Sequence, residues 1–402
     1  MITKTRLHEI NFSRILRHIR LNGGISRIAA ARDLELDRST LTKAVRAMIA
    51  CGIVRETGKF RGKPGSGRMA IGLEIDPSFG CVLGMEIQTQ TIRWTLMDLC
   101  GAELDSGATP FGGAETRVDE AALALFRAVN RRESAAGRRI IGIGIGLSGS
   151  VNQETGEIIY SYPLGITSPL ALRDRVAEGA GLPAFVENDA NCCCWGEIAF
   201  GDTLKSGNFI AILGEFRNVD VAEGSRPGVA VGMGISVNRR VMPGDNCNAG
   251  EFRSLLYDHS RPSRSQFSIT DEQAALLPGD ADTLGKVFGE LGYNVSLLVN
   301  VLDVNRILVA GDFADHASLL TDKLTAEIRR NSLYQIPRAC EILYSPHGEN
   351  AVCAGAAGLF MHNLFSVPGM SNEGDENLGL VLLSRILSSD ELVHLREALN
   401  GA

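Results

Sequence analysis

No apolar run in the 402 residues reaches the roughly 18 needed for a helix to cross a bilayer. The opening stretch, MITKTRLHEINFSR, has no apolar core of the kind a signal peptide needs. Both absences lead to the expectation of a cytoplasmic protein without a membrane partner. The chain has nine cysteines, an odd number, and no pair stands at CxxC spacing. That argues against a disulfide framework and a zinc knuckle, and reduced thiols suit a reducing compartment. What is present is ordinary for a globular protein: 45% hydrophobic residues in a chain long enough for two or three domains with sizeable cores.

The net charge of −7 hides an asymmetry. Residues 1–68 carry 15 Lys and Arg against 5 Asp and Glu, a net of +10, which leaves −17 on the remainder. A basic head on an acidic body points to a polyanion-binding module joined to something that does not bind nucleic acid. Within the head, NFSRILRHIRLNGG predicts a first helix, with Ile15, Leu16 and Ile19 apolar and a Gly pair as its stop. SRIAAARDLEL predicts a short second helix capped by Ser26. DRSTLTKAVRAMIACG predicts a third, capped by Asp37, with Leu41, Val45, Met48 and Ile49 on one face. That layout is a helix-turn-helix. Arg38, Ser39, Thr40, Thr42, Lys43 and Arg46 lie off the apolar stripe, where they can reach base edges and phosphates in a major groove. The basic, Gly-rich KFRGKPGSGR, between two β-prone stretches, reads as a wing, with Arg61, Lys63 and Arg68 placed for a minor groove. The competing reading is a small helical domain with a solvated basic face.

From Gly80 onward strands alternate with helices, the pattern of an α/β protein. The order recurs in two halves, each strand-rich and then helical, which predicts a duplicated domain with a cleft between its lobes. The expected division is 1–75 for the DNA-binding head, 76–200 and 201–365 for the two lobes, and 366–402 for an acidic linker and terminal helices with a packing or oligomer role.

GIGIGLSGSVNQETGEI, VENDANCCCWGE, CNAGEF and LDVNRILVAGDF, in this order, resemble the ROK family of repressors and sugar kinases. The resemblance covers residues 11–360 and implies an actin-like ATPase fold of two lobes. The family's repressor branch adds an N-terminal winged helix-turn-helix. Two departures bear on function. The family kinases carry a Gly-rich D-x-G-G-T-K-like turn that lets the backbone approach ATP phosphates. Here GMEIQTQTIRW places Gln88, Thr89 and Gln90 there, and the Lys is missing. Many members also bind zinc through a His and a cysteine loop. Here Ser254 stands at the His position and no such loop follows, so no metal and no cofactor is expected.

The resemblance places Asp189 where kinases keep the base that deprotonates the sugar hydroxyl; without the phosphate turn, it implies a hydroxyl acceptor instead. It places Asn188 and Glu251 at sugar contacts and Ser148 and Gly149 at the turn beside the sugar. Ile166 stands where an aromatic is common. Each assignment has a structural alternative: Asn188 and Asp189 as an N-cap pair, and Glu251 as an acid at a helix start. Cys192, Cys193 and Cys194 point in directions about 100° apart on a helix and read as packing residues. The expectation is a sugar-responsive repressor that binds a palindromic operator as a homodimer or homotetramer and takes a carbohydrate effector in the cleft. The alternatives are a sugar kinase that also binds DNA and a repressor that has lost its ligand.

Overall fold

The computed structural model describes residues 4–61, 69–112, 117–201, 207–217, 228–260, 265–333, 340–368 and 377–400. The head is built from α1 (Lys4–Leu21), β1 (Ile25–Ser26), α2 (Arg27–Asp33), α3 (Arg38–Ala50), β2 (Val54–Arg61) and β3 (Met69–Ile75). Both expected caps form. Ser26 Oγ accepts from the Ala29 N–H at 3.2 Å. Asp37 Oδ1 accepts from the N–H groups of Ser39 and Thr40 at 2.9 and 2.8 Å. Leu41, Val45 and Met48 turn inward onto Phe12, Ile15 and Ile19, all buried. The three strands pair antiparallel in the order β1-β3-β2, which is the sheet of a winged helix. Lys63 and Arg68 lie outside the described residues; Arg61 ends β2 opposite Met69.

The body repeats one topology twice. Its first half runs β4 (Cys81–Ile87), β5 (Thr91–Asp98), β6 (Glu103–Pro110), α4 (Val118–Ala135), β7 (Ile140–Leu147), β8 (Ser150–Asn152), β9 (Glu157–Tyr160), α5 (Leu172–Ala180), β10 (Ala184–Asn188) and α6 (Asp189–Phe200). The second runs β11 (Phe209–Arg217), β12 (Gly228–Val237), β13 (Arg240–Val241), α7 (Asp271–Ala274), α8 (Ala281–Leu302), β14 (Arg306–Gly311), α9 (Ala317–Arg330), β15 (Glu341–Tyr344) and α10 (Ala351–Leu364). The five-stranded sheets are ordered β10-β7-β4-β5-β6 and β15-β14-β11-β12-β13. In each, an antiparallel meander is extended by two parallel strands on its first member. The duplication read from the element order is therefore present strand for strand, in an α/β fold of the actin-like ATPase type.

The last helix of each half crosses to the other half: α10 lies on β4 and β7, and α6 on β11 and β12. The two helices pack against each other at backbone distance. A Cβ added to Gly355 would stand 1.8 Å from the Cys192 carbonyl oxygen, so only glycine fits that crossing. The three consecutive cysteines serve this packing. All are buried; Cys192 Sγ approaches Gly146 of the first sheet and Cys194 Sγ approaches Gly234 of the second. Their thiols diverge, and burial holds each pKa above the ordinary thiol value. Among the described residues no group of three His, Cys, Asp or Glu is placed to hold a metal ion, and no helix is long and apolar enough to cross a membrane.

The chain returns to the head at its end. α11 (Leu378–Ile386) and α12 (Ser389–Asn400) pack on α1 and α3, and their leucines share one hydrophobic cluster with the head and with Phe360 and Leu364 of α10. Asn377 joins the seam: its Oδ1 accepts from Ser13 Oγ at 3.1 Å and its Nδ2 donates to the Glu9 carbonyl at 3.3 Å.

Candidate functional site

The exposed face of α3 is basic. Arg38, Lys43 and Arg46 are exposed, and among the described residues none of them forms an ion pair. The hydroxyls expected beside them are partly committed. Ser39 Oγ donates to Asp37 Oδ1 at 2.7 Å, Thr40 Oγ1 to Asp37 Oδ2 at 2.5 Å, and Thr42 Oγ1 to the Arg38 carbonyl at 2.6 Å. The bonds from Ser39 and Thr40 hold the Asp37 carboxyl well below its usual range, so the cap stays anionic at the helix N-terminus. Ser39 and Thr40 therefore order the helix start with their protons and keep only lone pairs for DNA. The three cations are the groups on this face with free donors.

The cleft between the halves holds a cavity of about 290 Å³. Ser148, Gly149, Asn188, Asp189 and Glu251, singled out in the sequence from separate segments, all line it. The β10–α6 junction brings two of them in. Asn188 is the N-cap of α6: its Oδ1 accepts from the Asn191 N–H at 3.1 Å, and its Nδ2 donates to the Gly149 carbonyl at 3.1 Å. Both of its functional groups are thus engaged in holding the cavity wall. Gly149 has φ +144° and lies against Tyr160 and Ser161 too closely for a Cβ. Asp189 is the first residue of α6, with Oδ1 accepting from the Ala190 N–H at 2.7 Å. Glu251 begins no helix, which removes the helix-start alternative; it forms an isolated bridge with Gly232 and is exposed at the cleft. Ser150 Oγ ties the two walls together by donating to the Cys247 carbonyl at 3.2 Å.

Several groups at this site escaped the sequence reading. Glu187, one residue before Asn188, is fully buried. It accepts from the Asn188 N–H at 2.8 Å, from Asn191 Nδ2 at 3.1 Å and from Trp195 Nε1 at 3.2 Å. Burial pushes its carboxyl up to about 7, against the lowering effect of those bonds. Asn191 lines the cavity at 6% exposure, and its Oδ1 has no partner within the protein. A buried acceptor left in that state costs about 1–3 kcal/mol. Tyr160 and Tyr162 stand at the cavity mouth, Tyr162 at 82% exposure, while Ile166 turns back onto the first-half core.

The turn that replaces the phosphate-binding glycines is also defined. Gln88 Nε2 donates to Glu86 Oε1 at 3.0 Å and reaches Glu215 Oε1, on β11 of the other half, at 3.5 Å. Glu86 is buried, and its carboxyl is pushed well above the usual range by burial, then by the charges of Glu215 and Asp189. The charges of Glu215 and Asp189 thus act on the buried Glu86 carboxyl beside this turn. Ser254 is buried too: its Oγ accepts from Asn294 Nδ2 at 3.1 Å and from the Leu256 N–H at 3.0 Å.

α6 starts in this cleft and ends at the head. Arg20 Nη2, from α1, donates to the Ala199 carbonyl at 3.0 Å, and Arg239 Nη2, from the second half, donates to the Ile198 carbonyl at 3.2 Å. Cations at a helix C-terminus are favoured by the helix dipole. Burial, opposed by Cys100 and reinforced by Arg17 and Arg239, brings Arg20 down to about 10.

Residues 82–258 match the ROK family model, and residues 13–55 match a winged helix-turn-helix DNA-binding model. The xylose repressor of Bacillus spizizenii is 21% identical over 396 residues, covering 91% of this chain and 99% of that protein. The xylose repressor of Bacillus subtilis is 21% identical over 393 residues, covering 90% and 98%. Among solved structures, a ROK family transcriptional regulator, homologue of the E. coli MLC protein, superposes with a TM-score of 0.70 at 22% identity, covering 98% of this chain and all of that one. A ROK family glucokinase from Streptomyces griseus, in complex with glucose and AMPPNP, matches 70% of this chain and 99% of its own at a TM-score of 0.51 and 21% identity. At these identities the structures share the fold.

Proposed function

The chain carries a ROK family domain behind a winged helix-turn-helix DNA-binding head, and from that premise we propose that it is a transcriptional repressor released or tightened by a carbohydrate in the interlobe cleft. The observation that carries this reading is α6. Its first turn lines the cavity and the Ala199 carbonyl, in its last turn, is held by Arg20 of the head. A ligand that moves the two halves relative to each other shifts this helix against the head, and the head carries Arg38, Lys43 and Arg46. Coupling of this kind is reciprocal and typically amounts to about 1–3 kcal/mol. In a two-fold symmetric dimer it changes the spacing of two recognition helices, which must match half-sites about one helical turn, or a multiple of it, apart.

Asp189 in the cleft also suits a sugar kinase, in which it would take the hydroxyl proton. Against this stands the turn at Gln88, with Glu86 and Glu215 beside it. Phosphoryl transfer needs positioned donors and cations around the phosphate, and the Gln88 side chain stands where glycines would leave the backbone open to it. We infer that the chain does not phosphorylate sugars. The test is selection of duplex DNA by the full-length protein from a random library, followed by titration of sugars against the selected duplex. Failure to enrich any sequence ends the repressor reading, and ATP-dependent turnover of a sugar that is lost in Asp189→Asn installs the kinase one.

A further inference from the structure

A helix whose outward side is as apolar as its inward side calls for cover. From Val287 to Leu302, α8 has one charged residue, Glu290. It is buried and accepts from the Ser268 N–H at 2.9 Å and from Ser268 Oγ at 2.5 Å. The side chains this stretch turns outward are Tyr293, Leu297 and Val301, which are spaced four apart and so form one row. Gly289 extends the row by a turn. Glycine weakens a helix interior, and a Cβ at Gly289 would meet nothing within 4 Å, so no contact inside the chain requires it. Apolar residues flank the row on both sides. Asn294 Oδ1 accepts from the Leu255 N–H at 2.9 Å and brings Leu255 and Leu256 to one side. Ser296 Oγ accepts from Asn331 Nδ2 at 3.0 Å on the other, where α9 ends and Leu333 follows. The six apolar side chains are between 40% and 83% exposed. Charge is confined to the rim: the Arg330 guanidinium lies 5.8 Å from the Tyr293 ring and pairs with Glu327 at 2.7 Å.

We propose that a second copy of this chain covers this face, with α8 of one copy against α8 of the other about a two-fold axis. Three observations select that occupant. The six residues expose on the order of 700 Å², more than a monomer usually leaves in one apolar patch and close to the roughly 800 Å² per partner of a standard interface. A two-fold contact sets residues near its axis against their own copies, so a charge there would meet its like; the row has none. The chain also carries one winged helix-turn-helix, over residues 13–55, and a two-fold operator needs two. This last observation rests on the repressor reading; the other two do not.

The experiment is sedimentation velocity on the full-length protein at micromolar concentration, without DNA or sugar. Wild type should sediment as a dimer. Leu297→Glu and Val301→Glu set like charges against each other and should raise the dissociation constant about a hundredfold or more. Both positions are exposed, and glutamate is a good helix former, so each variant should stay folded. Melting gives a second reading: the wild-type midpoint should rise with protein concentration and that of the variants should not. Leu256→Glu, outside the helix, supplies the same comparison if a helix variant does not fold. Val393→Glu, at an exposed position on α12, tests the terminal helices as a rival contact and should leave the dimer intact. A tetramer that falls to a dimer in the α8 variants also supports the proposal, because it has lost one of its two kinds of contact. A monomeric wild type, α8 variants as dimeric as wild type, or a dimer broken by Val393→Glu overturns it. None of these outcomes decides the repressor reading, which is tested separately by selection of duplex DNA.

Discussion

Arg20 of the head donates to the carbonyl of Ala199 at 3.0 Å, so the DNA-binding module grips the far end of a helix whose near end, at Asp189, lines the ligand cavity. α6 has 12 residues, a rod of about 18 Å. Arg20→Met keeps an unbranched apolar stem over Phe365, whose ring lies 4.9 Å from the guanidinium, and removes the bond. Operator affinity without ligand and ligand affinity without operator should change little. The change in operator affinity produced by saturating ligand should shrink by several-fold. Anisotropy titrations with and without the sugar read all three quantities, and an undiminished ligand effect would show that the signal leaves the cleft by another route.

The head's own contribution is read through salt. Lys43→Ala or Arg46→Ala should weaken operator binding roughly equally for all sequences if the side chain contacts phosphate. It should also reduce the slope of log K against log salt by about 1. A side chain that reads a base edge should instead cost about 1–3 kcal/mol and relax the preference at one position. Arg38, Lys43 and Arg46 all have free donors, whereas Ser39 and Thr40 are tied to Asp37, so their alanine variants should act mainly through helix stability. Salt slopes unchanged in both cation variants would move the DNA face off α3.

Legibility in the sequence followed the range of the forces involved. The caps at Ser26 and Asp37 are local chemistry, readable within three residues, and both form. The duplicated order of elements was readable because buried strands and amphipathic helices have different periods. The packing of α11 and α12 on the head was not, because Asn377 finds Ser13 across 364 positions of chain. Glu187 looked like any acid of a VEND stretch; only burial makes it unusual, and burial is set by Trp195 and Asn191 once α6 has docked. The same holds for Glu215, whose place beside Gln88 exists only after the halves face each other. Gln88 could be read as a missing glycine, but not as a bridge.

The pH response of stability should isolate Glu187. Its carboxyl, near 4.5 in the unfolded chain, rises to about 7 in the fold. The folded state therefore binds the proton more strongly, and the group's stabilising contribution, full below about 4.5, is lost as pH rises through about 7. Its size is on the order of 3 kcal/mol. His362 has the opposite sign: burial lowers it to about 3, so its contribution is lost as pH falls below its unfolded value near 6.5. The two slopes oppose each other below that pH, so the measurement is a difference between proteins. In Glu187→Gln the fall in stability between pH 6 and 8 should be flatter than in wild type, by urea unfolding at each pH. Parallel curves would mean that Glu187 titrates in its ordinary range.

The adjacent residues Asn188 and Asp189 separate structure from sensing. Asn188 caps α6 and holds the Gly149 carbonyl, so Asn188→Ala removes a cap worth about 1 kcal/mol and a buried tie to the cavity wall. Its melting temperature should fall by a few degrees, with ligand affinity falling as well. Asp189 and Glu251 face the cavity, and each supplies a charged acceptor worth about 1.5–3 kcal/mol to a bound hydroxyl. Asp189→Ala and Glu251→Ala should weaken ligand affinity about tenfold to a hundredfold. Operator binding without ligand should persist in both. Removing an acid whose charge pushes the Glu86 carboxyl upward also relieves like-charge repulsion, so Asp189→Ala should melt no lower than wild type. Melting curves, sugar titrations and operator shifts on the three variants form one experiment. If Asp189→Ala melts as low as Asn188→Ala and its ligand response is intact, the pair is a cap and nothing more, and the effector must be sought outside this cleft.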